Sequence, residues 1–446
     1  MSNDLSGAMD SVRRAFATQQ QSLSIISQNI SNATVDGYSR LSVQISPTTG
    51  DNVTLRVRDA LLDRSVRLQN GPAAHSKQRA ETLGQIQSVF GEPSDNGLAA
   101  AMDGFWGAWG DLANTPTDSV TKTAVQQKGL ALTSTFNRYA QQLTNVNDIC
   151  RSGVVDGVAK VNELCRQIGN INGQLGGVAP TDGDSSKLLD SRDRLIDQLS
   201  KLVQTTVNTS PDGTVSLYVG PDELVRGPHV SEMSVQNGPP VAISVLGANF
   251  AGPDLGGQLG GMLQALNIDI PDAQNGLNAL AKALVNDVNA VHTAGWSPAT
   301  GGTGVPFFST AAEGTLASKI TLSDQVKSSA SAIVTGPLPN AQGDNTVALA
   351  MASLRDLSPS AAGGSLGAMY QILVTQNASM KSSVDADATV YGTLADQASS
   401  QRQSAIGVNT DEELVKMMGF QQSYAAAAKV AAALDQMMQT LLNSKN

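Results

Sequence analysis

Met417-Met418-Gly419-Phe420-Gln421-Gln422-Ser423-Tyr424-Ala425-Ala426-Ala427-Ala428-Lys429-Val430-Ala431-Ala432-Ala433-Leu434-Asp435-Gln436-Met437-Met438-Gln439-Thr440-Leu441 is the stretch on which the reading of the chain turns. Met417, Phe420, Tyr424, Ala427, Ala431, Leu434, Met438 and Leu441 recur at alternating steps of three and four. That spacing is the a/d register of a helix lying along another helix. Asn409 or Thr410 caps the start, and Asp411, Glu412 and Glu413 set three carboxylates against the positive helix end. Between residues 417 and 444 only Lys429 and Asp435 carry charge. A helix so poor in charge and so rich in alanine expects neighbours on more than one side.

The N-terminus repeats the pattern. Leu5, Met9, Val12, Phe16, Gln19, Leu23, Ile26 and Ile30 fall in the same register, with one polar break at Gln19. Residues 15–35 carry no charge, and the outer positions there are Ser, Thr, Gln and Asn. Such groups hydrogen-bond a close neighbour without the cost of desolvating an ion. The two terminal helices either pair as an intramolecular stalk or also pack against copies of themselves. The shortage of charge on both favours the second.

Between them the periodicity changes several times. Residues 39–46 and 53–57 alternate as strands around Pro47-Thr48-Thr49-Gly50, a hairpin or extended arm after the turn at Asp36-Gly37. Helical spacing holds over 59–142, with Trp106 and Trp109 as core. Residues 120–175 read as one or two long helices, broken near Gly153 and again over 169–177. Residues 188–199 form an amphipathic helix whose charges are read as a solvated face with intrahelical ion pairs. Residues 203–250 are the β-rich block, with strands at 205–208, 214–219 and 241–246. Helix returns over 259–292, a Gly/Ser/Pro-rich loop follows at 294–304, and helical pattern resumes at 345–355 and 365–403. The expected fold is mainly α with a β-rich insertion. A terminal unit (1–60 with 404–446) encloses a helical body (61–202 with 256–403, mixed near 294–341), which encloses an outer β domain at 203–255.

Composition narrows the function. A net charge of −10 argues against nucleic acid or an anionic membrane surface as partner. No basic-then-apolar leader and no membrane span is visible. Cys150 and Cys165, if on one helix, stand roughly 22 Å apart along its axis and cannot bridge. Gly363-Gly364-Ser365-Leu366-Gly367 has the form of a nucleophile elbow, but no strand precedes it and no histidine follows it. Ser365 is better read as a helix cap. His75, His229 and His292 stand in separate regions without metal-ligand spacing, and Asp182-Gly183-Asp184 lacks the rest of a calcium loop. No catalytic, cofactor-binding or metal-binding residue is assigned.

Two stretches resemble a known family. Residues 23–40, containing Ser27-Gln28-Asn29-Ile30-Ser31-Asn32 and Gly37-Tyr38-Ser39-Arg40, are similar to the N-terminal signature of flagellar rod, hook and hook-associated proteins. Val408-Asn409-Thr410-Asp411-Glu412-Glu413, followed by Gln421-Gln422-Ser423-Tyr424, resembles the C-terminal ending of the hook-associated members at the hook–filament junction. The helix at 188–199 and Gly256-Gly257-Gln258-Leu259-Gly260-Gly261-Met262-Leu263 agree with those members. Departures are modest, such as Lys429 where arginine is usual and Val35-Asp36 before Gly37.

The resemblance implies a non-enzymatic structural adaptor, exported without a cleaved signal peptide and located outside the cell in the flagellum. It implies self-assembly as a ring at the hook tip, with hook protein below and the next hook-associated junction protein above. An export chaperone would hold the C-terminal helix, and no cofactor or membrane insertion is implied. The terminal helices would form an antiparallel pair lining an inner tube, folded only on assembly. The seam positions above, with Gln19–Gln21, Asn29 and Asn32 as contacts between subunits, are the candidate assembly residues. A hook or distal-rod subunit is the rival, disfavoured by the Asn-x-Asp-Glu-Glu ending and the helical middle. An exported enzyme with similar terminal helices is the other, disfavoured by the small β block.

Overall fold

The computed structural model describes residues 2–35, 37–45, 52–91, 94–176, 183–210, 212–309, 314–339, 341 and 343–443, with backbone alone at 2–6, 183–184 and 441–442. Helix α1 (Ser2–Ser31) ends in a turn, and Gly37 takes a positive φ of 73° as the chain reverses. Strands β1 (Leu41–Ile45) and β2 (Asn52–Arg56) then pair antiparallel, with Val43 opposite Thr54. Asp36 and the hairpin tip at 46–51 lie outside the described residues.

The helical body starts at α2 (Ala60–Phe90), where the Asp59 carboxylate accepts from the N–H groups of Leu61 and Leu62. Helix α3 (Leu98–Asn114) turns Phe105, Trp106 and Trp109 inward. Helix α4 (Ser119–Leu175) then runs 57 residues without interruption. The expected break at Gly153 is absent because glycine there provides room and not a stop. A Cβ on Gly157 would come within 2.5 Å of Leu259, and one on Gly169 within 3.1 Å of the Pro228 carbonyl oxygen. Cys150 and Cys165 both lie on α4, buried and free, with burial pushing each thiol up to about 12. Helix α5 (Gly183–Leu202) leads into the β block.

Strands β3 (Thr206–Thr209), β4 (Val215–Val219), β5 (Asp222–Arg226) and β6 (His229–Val230) form one antiparallel sheet in chain order. Strands β7 (Ser234–Gln236), β8 (Ala242–Val245) and β9 (Ala248–Phe250) form a second. The sequence pattern locates β3, β4 and β8; β6, β7 and β9 are too short for period two to show, and β5 does not alternate, since Leu224 and Val225 are adjacent and both buried. Val215, Leu217, Val219, Ile243 and Val245 are buried in the same hydrophobic core as the helices.

Helix α6 (Gly257–Gln264) continues through a π turn at Ala265–Asp269 into α7 (Ile270–Thr293). The extra residue of the π turn aims two side chains in different directions. Asn267 donates to the carbonyls of Val241 and Ala251, tying down the second sheet. Asp269 receives two hydrogen bonds from Arg79 of α2, each 2.8 Å. The glycine run that opens α6 is a matter of close approach. Gly257 has φ 61°, and a Cβ on it would meet the Leu202 carbonyl at 2.5 Å; on Gly261 it would meet the His75 carbonyl oxygen at 2.5 Å.

Short helices α8 (Leu316–Lys319), α9 (Asp324–Ser328) and α10 (Thr346–Ser353) close one end of the body. There Phe105, Trp109, Phe307 and Phe308 pack ring against ring, and Trp109 and Phe307 meet His292, which is fully buried, edge to face. His292 Nε2 accepts from the Val334 N–H, so the ring proton sits on Nδ1 and is donated to the Val305 carbonyl at 2.7 Å. Helix α11 (Leu366–Ile406), capped by the Ser365 hydroxyl accepting from Ala368 N–H, packs along α2 and returns the chain to α12 (Thr410–Asn443) beside α1. The architecture is mainly α with a β-rich insertion, as expected.

Candidate assembly interface

Helices α1 and α12 lie antiparallel. Phe16 meets Tyr424 edge to face with ring centroids 5.0 Å apart, while Asn29 meets Glu413 at the other end. On α1, Met9, Val12, Phe16, Gln19, Leu23 and Ile30 are half-buried and Ile26 is buried. On α12, Met417, Phe420, Ala427, Ala431 and Leu434 are half-buried, whereas Tyr424 and Met438 remain 36% and 40% exposed. The side chains of Leu5 and Leu441 lie outside the described residues. One partner helix cannot cover a seam fully, and the half-burial along both helices records that.

Three residues outside the seam hold the pair to the arm. Asn29 is 1% exposed, and its amide is used entirely within the chain. Its Nδ2 donates to the Leu41 carbonyl and to Glu413, and its Oδ1 accepts from Leu41 N–H and the Tyr38 hydroxyl. It joins α1, β1 and α12 within one chain, at a position the sequence reading places among contacts between subunits. Glu413, read in the sequence as a charge at a helix start, does lie in the first turn of α12 and is also buried between Asn29, Arg40 and Lys416. Burial pushes its carboxyl up, but Asn29, Lys416 and Arg40 together hold it below the usual range. Burial, with the Asp190 carboxylate nearby, raises the Tyr38 phenol to about 12. Asn409 provides the cap, accepting from the N–H groups of Asp411 and Glu412. Asn32 donates back to the Gln28 carbonyl, and Gln21 donates to Thr54 of β2.

The arm is anchored to the body by a charge network that sequence reasoning mislaid. Asp190, Asp193 and Asp197 project from one face of α5 at i, i+3 and i+7, and they face other elements. Arg56 of β2 reaches Asp190 and Asp193 at 2.6 Å each. Arg58 bridges Asp193 and Asp63; Arg67 of α2 and Arg402 of α11 both reach Asp197. The solvated face with intrahelical pairs is therefore corrected to a sheltered joint of four elements. Burial would raise the Asp193 carboxyl, but Arg58, Arg56 and Arg67 outweigh it and hold it low. At Asp63 burial wins over Arg58 and Arg67, and its carboxyl is raised. The crowd of arginines at 56, 58 and 67 was the available signal, since cations set so close together need acidic partners to be sheltered.

Beyond the seam, α12 presents a second face that no described residue covers. Val415, Met418, Val430 and Met437 are each more than half exposed, and Gly419, Ala426 and Ala433 lie among them. Lys429 and Asp435 are the charges on that helix beyond its first two turns. Among the described residues no cluster of His, Cys, Asp and Glu could hold a metal ion.

A family model described as the helical domain of flagellar hook-associated protein FlgK matches residues 83–308. The chain belongs to this FlgK family. A second model, the C-terminal segment of flagellar basal body rod FlgEFG proteins, matches residues 399–444, which contain α12. Among relatives, flagellar hook-associated protein 1 of Bacillus subtilis (strain 168) is 27% identical over 98% of this chain and 97% of that protein. Its namesake in Escherichia coli (strain K12) is 23% identical over 99% and 100%. The solved flagellar hook junction protein FlgK from Burkholderia pseudomallei superposes with a TM-score of 0.66 at 16% identity, over 76% of this chain and 99% of that one. At that identity the likeness is one of fold. The FlgK helical-domain match spans both sheets and the π turn, so the β block sits inside the region this family shares.

Proposed function

We propose that the chain is a structural adaptor of the bacterial flagellum, assembled at the hook tip as the junction between hook and filament, with no catalytic role. The carrying observation is the bare outer face of α12, in which Val415, Met418, Val430 and Met437 are exposed on a helix that beyond its first two turns carries only Lys429 and Asp435 as charges. Such a face is a liability in water and a contact surface in a wall of repeated copies. Family membership and the names of the full-length relatives support the same reading. In this reading each α1/α12 pair is one stave of an inner tube. Copies of the chain form a ring, hook protein lies below and the next hook-associated protein above. The chain is exported without cleavage of a signal peptide, and a chaperone covers the apolar face of α12 beforehand. No helix among the described residues is long and apolar enough to cross a membrane.

Two substitutions separate the seam from the outer face. Leu434→Asp places a charge against α1, and Val430→Asp places one on the uncovered face while leaving the seam intact. Both variants should keep a folded body and be secreted, yet leave hooks without filaments under electron microscopy of a strain lacking the native gene. Normal filaments from Val430→Asp would overturn the proposal, and loss of the hook itself would point to a hook or rod subunit.

A further inference from the structure

Strand β3 is an outer strand of its sheet, and its outward backbone groups have no hydrogen-bond partner among the described residues. An open groove of about 420 Å³ separates that edge from the first turns of α2. Leu61 and Leu68 line it, 76% and 55% exposed. Arg64 stands exposed between them, one helical turn from each, and forms no ion pair among the described residues. At the groove wall Arg192 is 5% exposed; it donates one Nη to the Gly213 carbonyl, but its Nε–H has no partner. Thr205, at the entry to β3, is 6% exposed and its Oγ1 is likewise unpartnered.

Each feature has an ordinary explanation alone, but they converge on one place. An open strand edge is a template for another strand and is normally blunted by charge, proline or a covering element. Here it is flanked by two bare leucines, and buried polar groups without partners are rare in a folded chain. The acidic side chains in the groove wall, Asp63 and Asp193, are already engaged by Arg58 and by Arg56. Arg64 and the Arg192 Nε are therefore the unmatched charge and donor. We propose that β3 takes up an extended acidic peptide segment of a partner protein as an added strand. Its main chain would pair with the edge, apolar residues would rest on Leu61 and Leu68, and a carboxylate would face Arg64 and Arg192. The four residues of β3 set the length of the pairing.

The test uses the full chain and an acetylated, amidated Leu-Glu-Leu-Glu-Leu pentapeptide, with a lysine counterpart and a fully N-methylated analogue as controls. Calorimetric titration should show saturable binding of the acidic peptide, and hydrogen exchange at 206–209 should slow in its presence. The lysine and N-methylated peptides should do neither, and Arg64→Glu, an exposed substitution, should weaken binding about tenfold or more. Absence of binding, equal binding of the N-methylated analogue, or indifference to Arg64→Glu would overturn the proposal. So would concentration-dependent protection of 206–209 without peptide, which would seat a second copy of the chain on that edge.

Discussion

Asn29 shows what one side chain contributes when its amide is fully enclosed. Its four hydrogen bonds connect the terminal helix, the arm and the returning α12, and none can be replaced by water without opening the joint. Asn29→Ala should loosen α12 from α1 by about 1–3 kcal/mol, the cost of stranding buried partners. Hydrogen exchange of the first turns of α12 reads that loss. Glu413 adds a pH dependence of known sign. Its folded carboxyl is held below the ordinary glutamate value, so its contribution is present above the unfolded value of about 4.3 and fades as pH falls through the lower folded one. Asp193 behaves in the same direction. Asp193→Ala would leave Arg56, Arg58 and Arg67 short of a shared anion, and urea unfolding should register a loss of about 3–5 kcal/mol.

Elements meet through shape as much as through charge. The unbroken α4 and the start of α6 depend on glycines that allow backbones to touch. Gly257 combines a positive φ with a carbonyl 2.5 Å from where a Cβ would stand. Gly257→Ala should therefore cost about 2–5 kcal/mol in urea unfolding, strain and overlap together. The α1/α12 pair is a weaker contact, since a single seam leaves most of its residues only half-buried. A double-mutant cycle of Phe16→Ala and Tyr424→Ala should give a coupling of about 0.5–1.5 kcal/mol, read as proteolytic release of α12. A coupling of zero would mean that the rings touch without holding the helices.

At the scale of the whole molecule, His292 ties the aromatic end of the body to the segment that wraps it. Burial pushes its pKa from 6.5 to about 4. The body is thus stable with the ring neutral, above 6.5, and should lose on the order of 3 kcal/mol as pH falls from 6.5 to 4. His292→Leu should be less stable at neutral pH but should lose that slope, as urea midpoints measured across the range would show. Heptads at both ends, the period-two arm, the aromatic positions of α3 and the cap at Ser365 were all legible in sequence, because each depends on spacing along a single element. The role of Asp190, Asp193 and Asp197 was not, since a charge on a helix face looks the same whether it meets water or an arginine from far along the chain. Gly153 was misread for a related reason: glycine weakens an isolated helix, and only the approach of Met262 makes it useful there.

Sequence by itself determined that the two chain ends are helices with an apolar seam and long stretches, 15–35 and 417–444, with almost no charge, a property of periodicity and composition. Tertiary structure alone decided that Asn29 and Glu413 lock those helices to the arm, that four arginines and α5 form one joint, and that an outer face of α12 and the edge of β3 are left open. Those outcomes depend on which distant residues meet, and desolvation sets their energies only once they have met.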